Sequence, residues 1–222
     1  MRARLSAVSA ACLLAASSAM AESCPPQRAV VPSRSVTLAI GTATPIYSGE
    51  YNRVHLTTLA GRDGAGAGRL NTGLTRSLAE VRLTPQVWEI NLGGGRHCIG
   101  LGRVEAHWTI NELLVYIASE YPPGGCNYRA IREHEDEHVA FALAIYKAWT
   151  PRVEAALRDA VARIKPEVFT GDTRQVSKDI TARLMRGLQP TIDGFRAELG
   201  AHNASIDTAQ NYRLVNSRCP KW

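Results

Sequence analysis

The chain has 222 residues, 26 of them basic and 20 acidic, for a formal net charge of +6, and 45% are hydrophobic. That length is enough to bury a sizeable core as one domain. The basic residues are scattered with no run of Lys or Arg, which excludes nucleic acid as the expected partner.

Residues 1–21 read as a secretory signal. Arg2 and Arg4 form a basic start, "LSAVSAACLLAASS" a short apolar centre, and Ala19-Met20-Ala21 a small-x-small cleavage pattern. The apolar run is shorter than the ~20 residues a membrane span requires, and no later segment is long and apolar enough. The expectation is therefore an exported chain, periplasmic or secreted, with a single domain over 22–222 and no transmembrane segment. That domain retains Cys24, Cys98, Cys126 and Cys219. An even count in an exported protein predicts two disulfides. Four cysteines allow three pairings; the favoured one is Cys98–Cys126 with Cys24–Cys219, the first closing a loop of 28 residues.

The predicted fold class is α+β: a β-rich half over 36–119, a helical half over 127–200 and a C-terminal tail over 201–222. "VTLAI", "RVHLTTLA", "VWEINL" and "LLVYIAS" are rich in β-branched and aromatic residues, and "RVEAHWTI" alternates Val104, Ala106, Trp108 and Ile110. "GRDGAGAGR" at 61–69 and "GGG" at 93–95 punctuate them as loops. After "PPGGC" at 122–126, Asn127 is a plausible N-cap. Ile131, His134, His138, Ala142, Ile145 and Trp149 then fall on one helix face. Thr150-Pro151 is read as the end of this helix and the start of a second, with Val153, Leu157, Ala160, Val161 and Ile164 as its apolar stripe. A third helical region follows Asp172-Thr173, with Val176, Ile180, Leu184, Leu188, Ile192, Phe195 and Leu199 inward. Pro190 is expected to kink or split it, and Gly200 to stop it.

The chemistry concentrates in "REHEDEHVAFA" at 132–142. His134-Glu135-Asp136-Glu137-His138 fits H-E-x-x-H. Residues four apart on a helix stand one above the other, so His134 and His138 can hold one metal ion. Glu135, one step round, is placed as a water-activating base rather than a ligand. Both histidines share the stripe of Ile131, Ala142 and Ile145. Burying two unpaired imidazoles there would be costly, and a metal satisfies both. His55, His97 and His107 lie in strand-like or loop stretches and read as structural.

The segment "CNYRAIREHEDEHVAFALAIYKAW" resembles the centre of a bacterial family of predicted secreted zinc-dependent proteases, part of the wider zincin group. The resemblance is strong over roughly 126–149 and weak elsewhere. It implies a zincin-like fold, one zinc ion, His134 and His138 as ligands, Glu135 as catalytic base and a peptide or protein substrate. The chain departs from the metzincin pattern, having Phe141 and Ala144 where that pattern has glycine and a third histidine. The expected activity is zinc-dependent peptide hydrolysis, with the strand around Leu113–Ser119 as the edge that pairs with substrate. The alternative is a non-catalytic module whose metal, if any, braces the fold.

The third ligand is the least determined. "HNASIDTAQNY" at 202–212 is similar to a tail motif of the same family, an aromatic-Asp pair followed by Thr and His. Asp207 matches the Asp, while Gln210 and Tyr212 replace later residues. Asp207 is thus the leading candidate. Asp159 and Glu154, in the helix after the expected turn at Thr150, and His202 remain alternatives. Glu167 follows Pro166 and is expected beyond the helix.

Overall fold

The computed structural model describes residues 24, 34–62 and 70–222. The signal expected over 1–21, and residues 63–69 of the Gly-rich stretch, lie outside the described residues.

Strands β1 (Ser35–Thr42), β2 (Ile46–Ser48), β3 (Gly73–Gly93), β4 (Arg96–Ile117) and β5 (Glu167–Thr170) form one mixed sheet. β3 and β4 are a long antiparallel hairpin, closed at Gly93, Gly94 and Gly95, all with positive φ. On its other side β4 pairs with β5 near its start, then with β1 and β2, both parallel. Leu114–Tyr116 is thus paired on both sides, by β3 and β2, so the Leu113–Ser119 stretch is not the edge strand expected from sequence. Among the described residues β3 pairs with β4 alone, so its other edge is free, as are the outer edges of the shorter β1, β2 and β5.

The predicted alternation holds: Val104, Ala106, Trp108 and Ile110 are all buried. The inward phase would be lost at Ile99 and Leu101 and at Leu113, Val115 and Ile117, which are also buried. Register shifts opposite Gln86/Val87 and Leu78/Ala79 restore it, one extra β4 residue each time.

Four helices follow: α1 (Arg53–Arg62), α2 (Cys126–Arg163), α3 (Thr173–Ile206) and α4 (Ala209–Ser217). α1 corrects the strand expected at "RVHLTTLA". Its β-branched content is outweighed by Asn52, whose side chain accepts from His55 N at 2.8 Å as an N-cap, and by burial of Leu56 and Ala60 four apart. α2 begins at Cys126 after Gly125, not after an Asn127 cap. It also runs unbroken through Pro151. Thr150 does not cap a new helix; its hydroxyl bonds back to Tyr146 O at 2.8 Å. The apolar stripe from Ile145 to Val153 and Leu157 continues across the proline and is buried. That packing offsets the ~3 kcal/mol a helix-interior proline costs. α3 starts at the expected cap, with Asp172 accepting from Arg174 N at 2.9 Å. It then passes both Pro190 and Gly200 without stopping.

α2 and α3 cover one face of the sheet. Leu157, Val161, Ile180, Leu184 and Leu188 close over Ile99, Leu101, Val104 and Ala106. Ala142, Ile145, Tyr146 and Phe195 close over Trp108, Ile110 and Leu113. The two helices run antiparallel. A Cβ at Gly194 would stand 2.5 Å from the Trp149 ring, so only glycine admits the approach. Trp149 Nε1 donates to Glu198 at 2.9 Å, and Phe141 meets His202 with ring centroids 5.2 Å apart. This register brings the end of α3 back to the His134 end of α2.

The disulfides are Cys24–Cys98 and Cys126–Cys219, not the expected pairs. Cys98 is near the start of β4, and Cys126 follows its end. Some 60 Å of extended strand separates them at ~3.3 Å per residue, far beyond the ~5.5–6 Å Cα spacing of a bridge. The C-terminal chain instead returns to the start of α2, where Val215 and Cys219 pack on Ala130. Arg218 pairs with Glu133 at 2.9 Å and Asn127 donates to Lys221 O at 2.7 Å. Replacing Cys126 and Cys219 by Ser is expected to lower the melting temperature by about 5–15 °C, from the usual stabilisation by a long-loop disulfide. Calorimetry of wild type and variant checks this; equal melting temperatures would leave the bridge without a stabilising role.

Among the described residues no helix is long and apolar enough to cross a membrane, and with the two disulfides this is compatible with an exported protein.

Candidate metal centre

His134, Glu135 and His138 lie in the first third of α2, where it passes over the end of β4 and the start of β3. They are 4%, 4% and 7% exposed and are the only buried polar or charged residues among those described. Asp136 is half-buried and Glu137 exposed, as expected of the acidic face.

Asp207 is the C-cap of α3 and joins the two histidines. Nε2 of His134 and Nε2 of His138 each lie 3.2 Å from Asp207 Oδ1. The three residues form a group that could hold a metal ion, with donor atoms within 4.8 Å of one another. The other third-ligand candidates are elsewhere. Glu154 pairs with Arg158 one turn on in α2, Asp159 is exposed, and His202 packs on Phe141. Glu167, expected beyond the helix, is in β5 and pairs with Arg183. The idea that an antiparallel helix after Thr150 supplies the ligand fails because α2 does not turn there; α3 is the antiparallel neighbour. His55 stacks on Tyr51 and His97 meets Glu89, both structural contacts.

Two further side chains serve the group. Asn203, one turn before Asp207 on the same face of α3, accepts from His138 Nδ1 at 3.0 Å. This leaves Nε2 as the lone-pair nitrogen of a neutral ring, the tautomer a metal ligand needs. Tyr212 of α4 donates to Asp207 Oδ1 at 2.8 Å. Neither was read from sequence, although Asn203 and Asp207 at i, i+4 repeat the spacing of the two histidines. His134 Nδ1 is buried with no partner among the described residues.

The donor set could hold a first-row metal ion. Four ligand atoms placed tetrahedrally at ~2.0–2.1 Å from an ion lie about 3.3 Å apart, close to the 3.2 Å between each Nε2 and Oδ1. Two imidazoles and one carboxylate, all first-row metal donors, then leave a fourth position open. Without metal, one carboxylate oxygen faces two ring nitrogens and a hydroxyl at once. Burial disfavours a charged His138. The hydrogen bond to Asp207 and the charges of Glu135 and Asp207 outweigh it and raise the pKa to about 9. Burial also disfavours ionised Asp207, yet the hydrogen bonds from His134 and His138 hold its carboxyl well below the usual range. Burial pushes Glu135 up, opposed by His138, His134 and the Thr75 hydroxyl.

These shifts set a pH window for the metal-free protein. The folded pKa of His138 lies above the ordinary ~6.5, so its stabilising contribution is fully present below pH ~6.5 and lost as pH rises through about 9. The metal-free protein is expected to melt at a lower temperature at pH 9.5 than at pH 6.5. The metal-loaded protein should lack this loss, because metal replaces the proton on Nε2. Melts of both forms at the two pH values check this; parallel curves would contradict it.

A scan against protein-family models finds no match, and neither curated proteins nor solved structures show significant similarity to the chain.

Proposed function

We propose that the protein is an exported, zincin-like zinc metallopeptidase that binds one zinc ion through His134, His138 and Asp207 and uses Glu135 as general base. The observation that carries this reading is the convergence of two Nε2 atoms, each 3.2 Å from the same carboxylate oxygen, beside a buried glutamate. A purely structural zinc is held by four protein ligands, whereas three protein donors converge here among the described residues. Bound zinc would supply an acidified water and polarise the scissile carbonyl.

The chain's own residues supply the rest. Glu135 takes the proton of the attacking water and returns it to the leaving nitrogen. Its raised pKa, caused by burial, suits a group that must hold that proton in between. Asn203 fixes the His138 tautomer, and Tyr212 orients the Asp207 carboxylate. The free edge of β3 can pair with an extended peptide. Along it, Leu78–Arg82 and the α3 stripe of Met185, Gln189, Ile192 and Arg196 border a groove of about 360 Å³. β3 leads from this groove to Glu135 and α3 leads from it to Asp207.

Elemental analysis of untagged protein, paired with a peptide-cleavage assay, tests the proposal. One zinc per chain and cleavage that is lost on chelation and restored by zinc are expected. Zinc without cleavage would favour a bracing role, and absence of bound metal would remove the centre altogether.

A further inference from the structure

Gly73 and Thr75 are two apart on β3, so both face α2. They meet it at Glu135. The Thr75 hydroxyl donates to Glu135 Oε2 at 2.8 Å and also reaches the Glu135 backbone oxygen at 3.2 Å. A hydroxyl has a single proton, and the shorter contact to the carboxylate takes it. A Cβ at residue 73 would stand 2.4 Å from Glu135 Oε1 and 2.7 Å from Ile131 Cγ2. The bare strand backbone is therefore the wall against which the carboxylate rests.

The helix fixes only the Cα of Glu135. The remaining rotamer freedom of a glutamate spans several wells, with a broad terminal torsion. β3 removes it at both oxygens: Oε2 by a hydrogen bond, Oε1 by the space an absent side chain leaves. A base misplaced by an ångström loses much of its advantage in proton transfer. We infer that Thr75 is the positioning residue for Glu135, its hydroxyl setting the carboxylate's rotamer and plane while Gly73 keeps the seat open. This rests on Glu135 being the base, the role given to it above.

Thr75→Val keeps the side-chain shape and removes the hydroxyl; Thr75→Ser keeps the hydroxyl. In zinc-loaded protein, the Val variant is expected to lose roughly 10- to 100-fold in kcat, with KM within about twofold and zinc content unchanged. The Ser variant should regain most of that loss. A merely structural threonine would instead move melting temperature and zinc content and leave no hydroxyl-specific rescue. Wild-type kcat in the Val variant, or a Ser variant as slow as Val, overturns the inference. Crystal structures of the two metal-loaded variants decide it without any assay. The Glu135 carboxylate must leave its seat in Val and keep it in Ser; a carboxylate still seated in Val refutes the role of Thr75. A wild type that cleaves no peptide would count against the proposed function, while the two carboxylate positions would still decide this one.

Discussion

Glu135→Gln should lower peptide turnover by roughly 100- to 10,000-fold, the range that a general base contributes, with zinc content unchanged at one ion. Glutamine has nearly the same shape and can still accept from Thr75, whose hydroxyl lies 2.8 Å from Oε2. It cannot take a proton from water. Because Glu135 is not among the three converging donors, the metal group is left whole. Burial also makes the swap benign for the fold. Glu135 is 4% exposed and its carboxyl is pushed up by desolvation, so a neutral isostere removes a charge the site has to compensate. The melting temperature should therefore stay level or rise. Steady-state kinetics with metal analysis on the same preparation measures both halves. Turnover equal to wild type would remove Glu135 from the reaction; loss of zinc together with turnover would mean that its role is in metal binding.

The histidine pair was legible in sequence because it shares a period with the core. His134 and His138 fall in the stripe of Ile131, Ala142 and Ile145, and all five are buried. The alternation from Val104 to Ile110 was legible for the same reason. What periodicity could not convey was the length of the elements. Pro151, Pro190 and Gly200 are local stop signals; apolar packing continues past the two prolines, and past Gly200 the helix is held by His202 against Phe141 and Asn203 against His138. Once α2 is unbroken, the antiparallel partner of His138 comes from α3 rather than from residues near 162, and Asp159 and Glu154 are left on the wrong stretch of helix. The disulfide pairing failed similarly, since sequence separation does not show that a 22-residue strand holds Cys98 far from Cys126. The start of β3 lacked a strong strand signal, and with it Gly73 and Thr75, which matter because of where α2 crosses them, escaped notice.

Asp207→Ala should weaken zinc binding by more than about 100-fold, because loss of a partner merely behind a ligand already costs 10- to 100-fold. The change removes the one oxygen that both Nε2 atoms face at 3.2 Å. It also removes the acceptor to which the Tyr212 hydroxyl donates at 2.8 Å. Of the other carboxylates considered as ligands, Glu154 is engaged by Arg158 and Asp159 is exposed, while the neighbouring Glu135 is held by the Thr75 hydroxyl. The fold should survive. The Asp207 side chain is 35% exposed and caps α3 through its backbone, with N–H bonding Asn203 O at 3.1 Å, a contact alanine keeps. The apolar clusters that seat α2 and α3 on the sheet do not include it. Without its carboxylate the main support for a charged His138 goes, so the stability lost between pH 6.5 and 9 in the metal-free wild type should largely vanish in metal-free Asp207→Ala. Competition against a graded series of chelators, with circular dichroism and melts at both pH values, reads the three effects separately. Full zinc occupancy in the variant against a chelator strong enough to strip part of the zinc from the wild type would exclude Asp207 as a ligand, whatever happens to the melts.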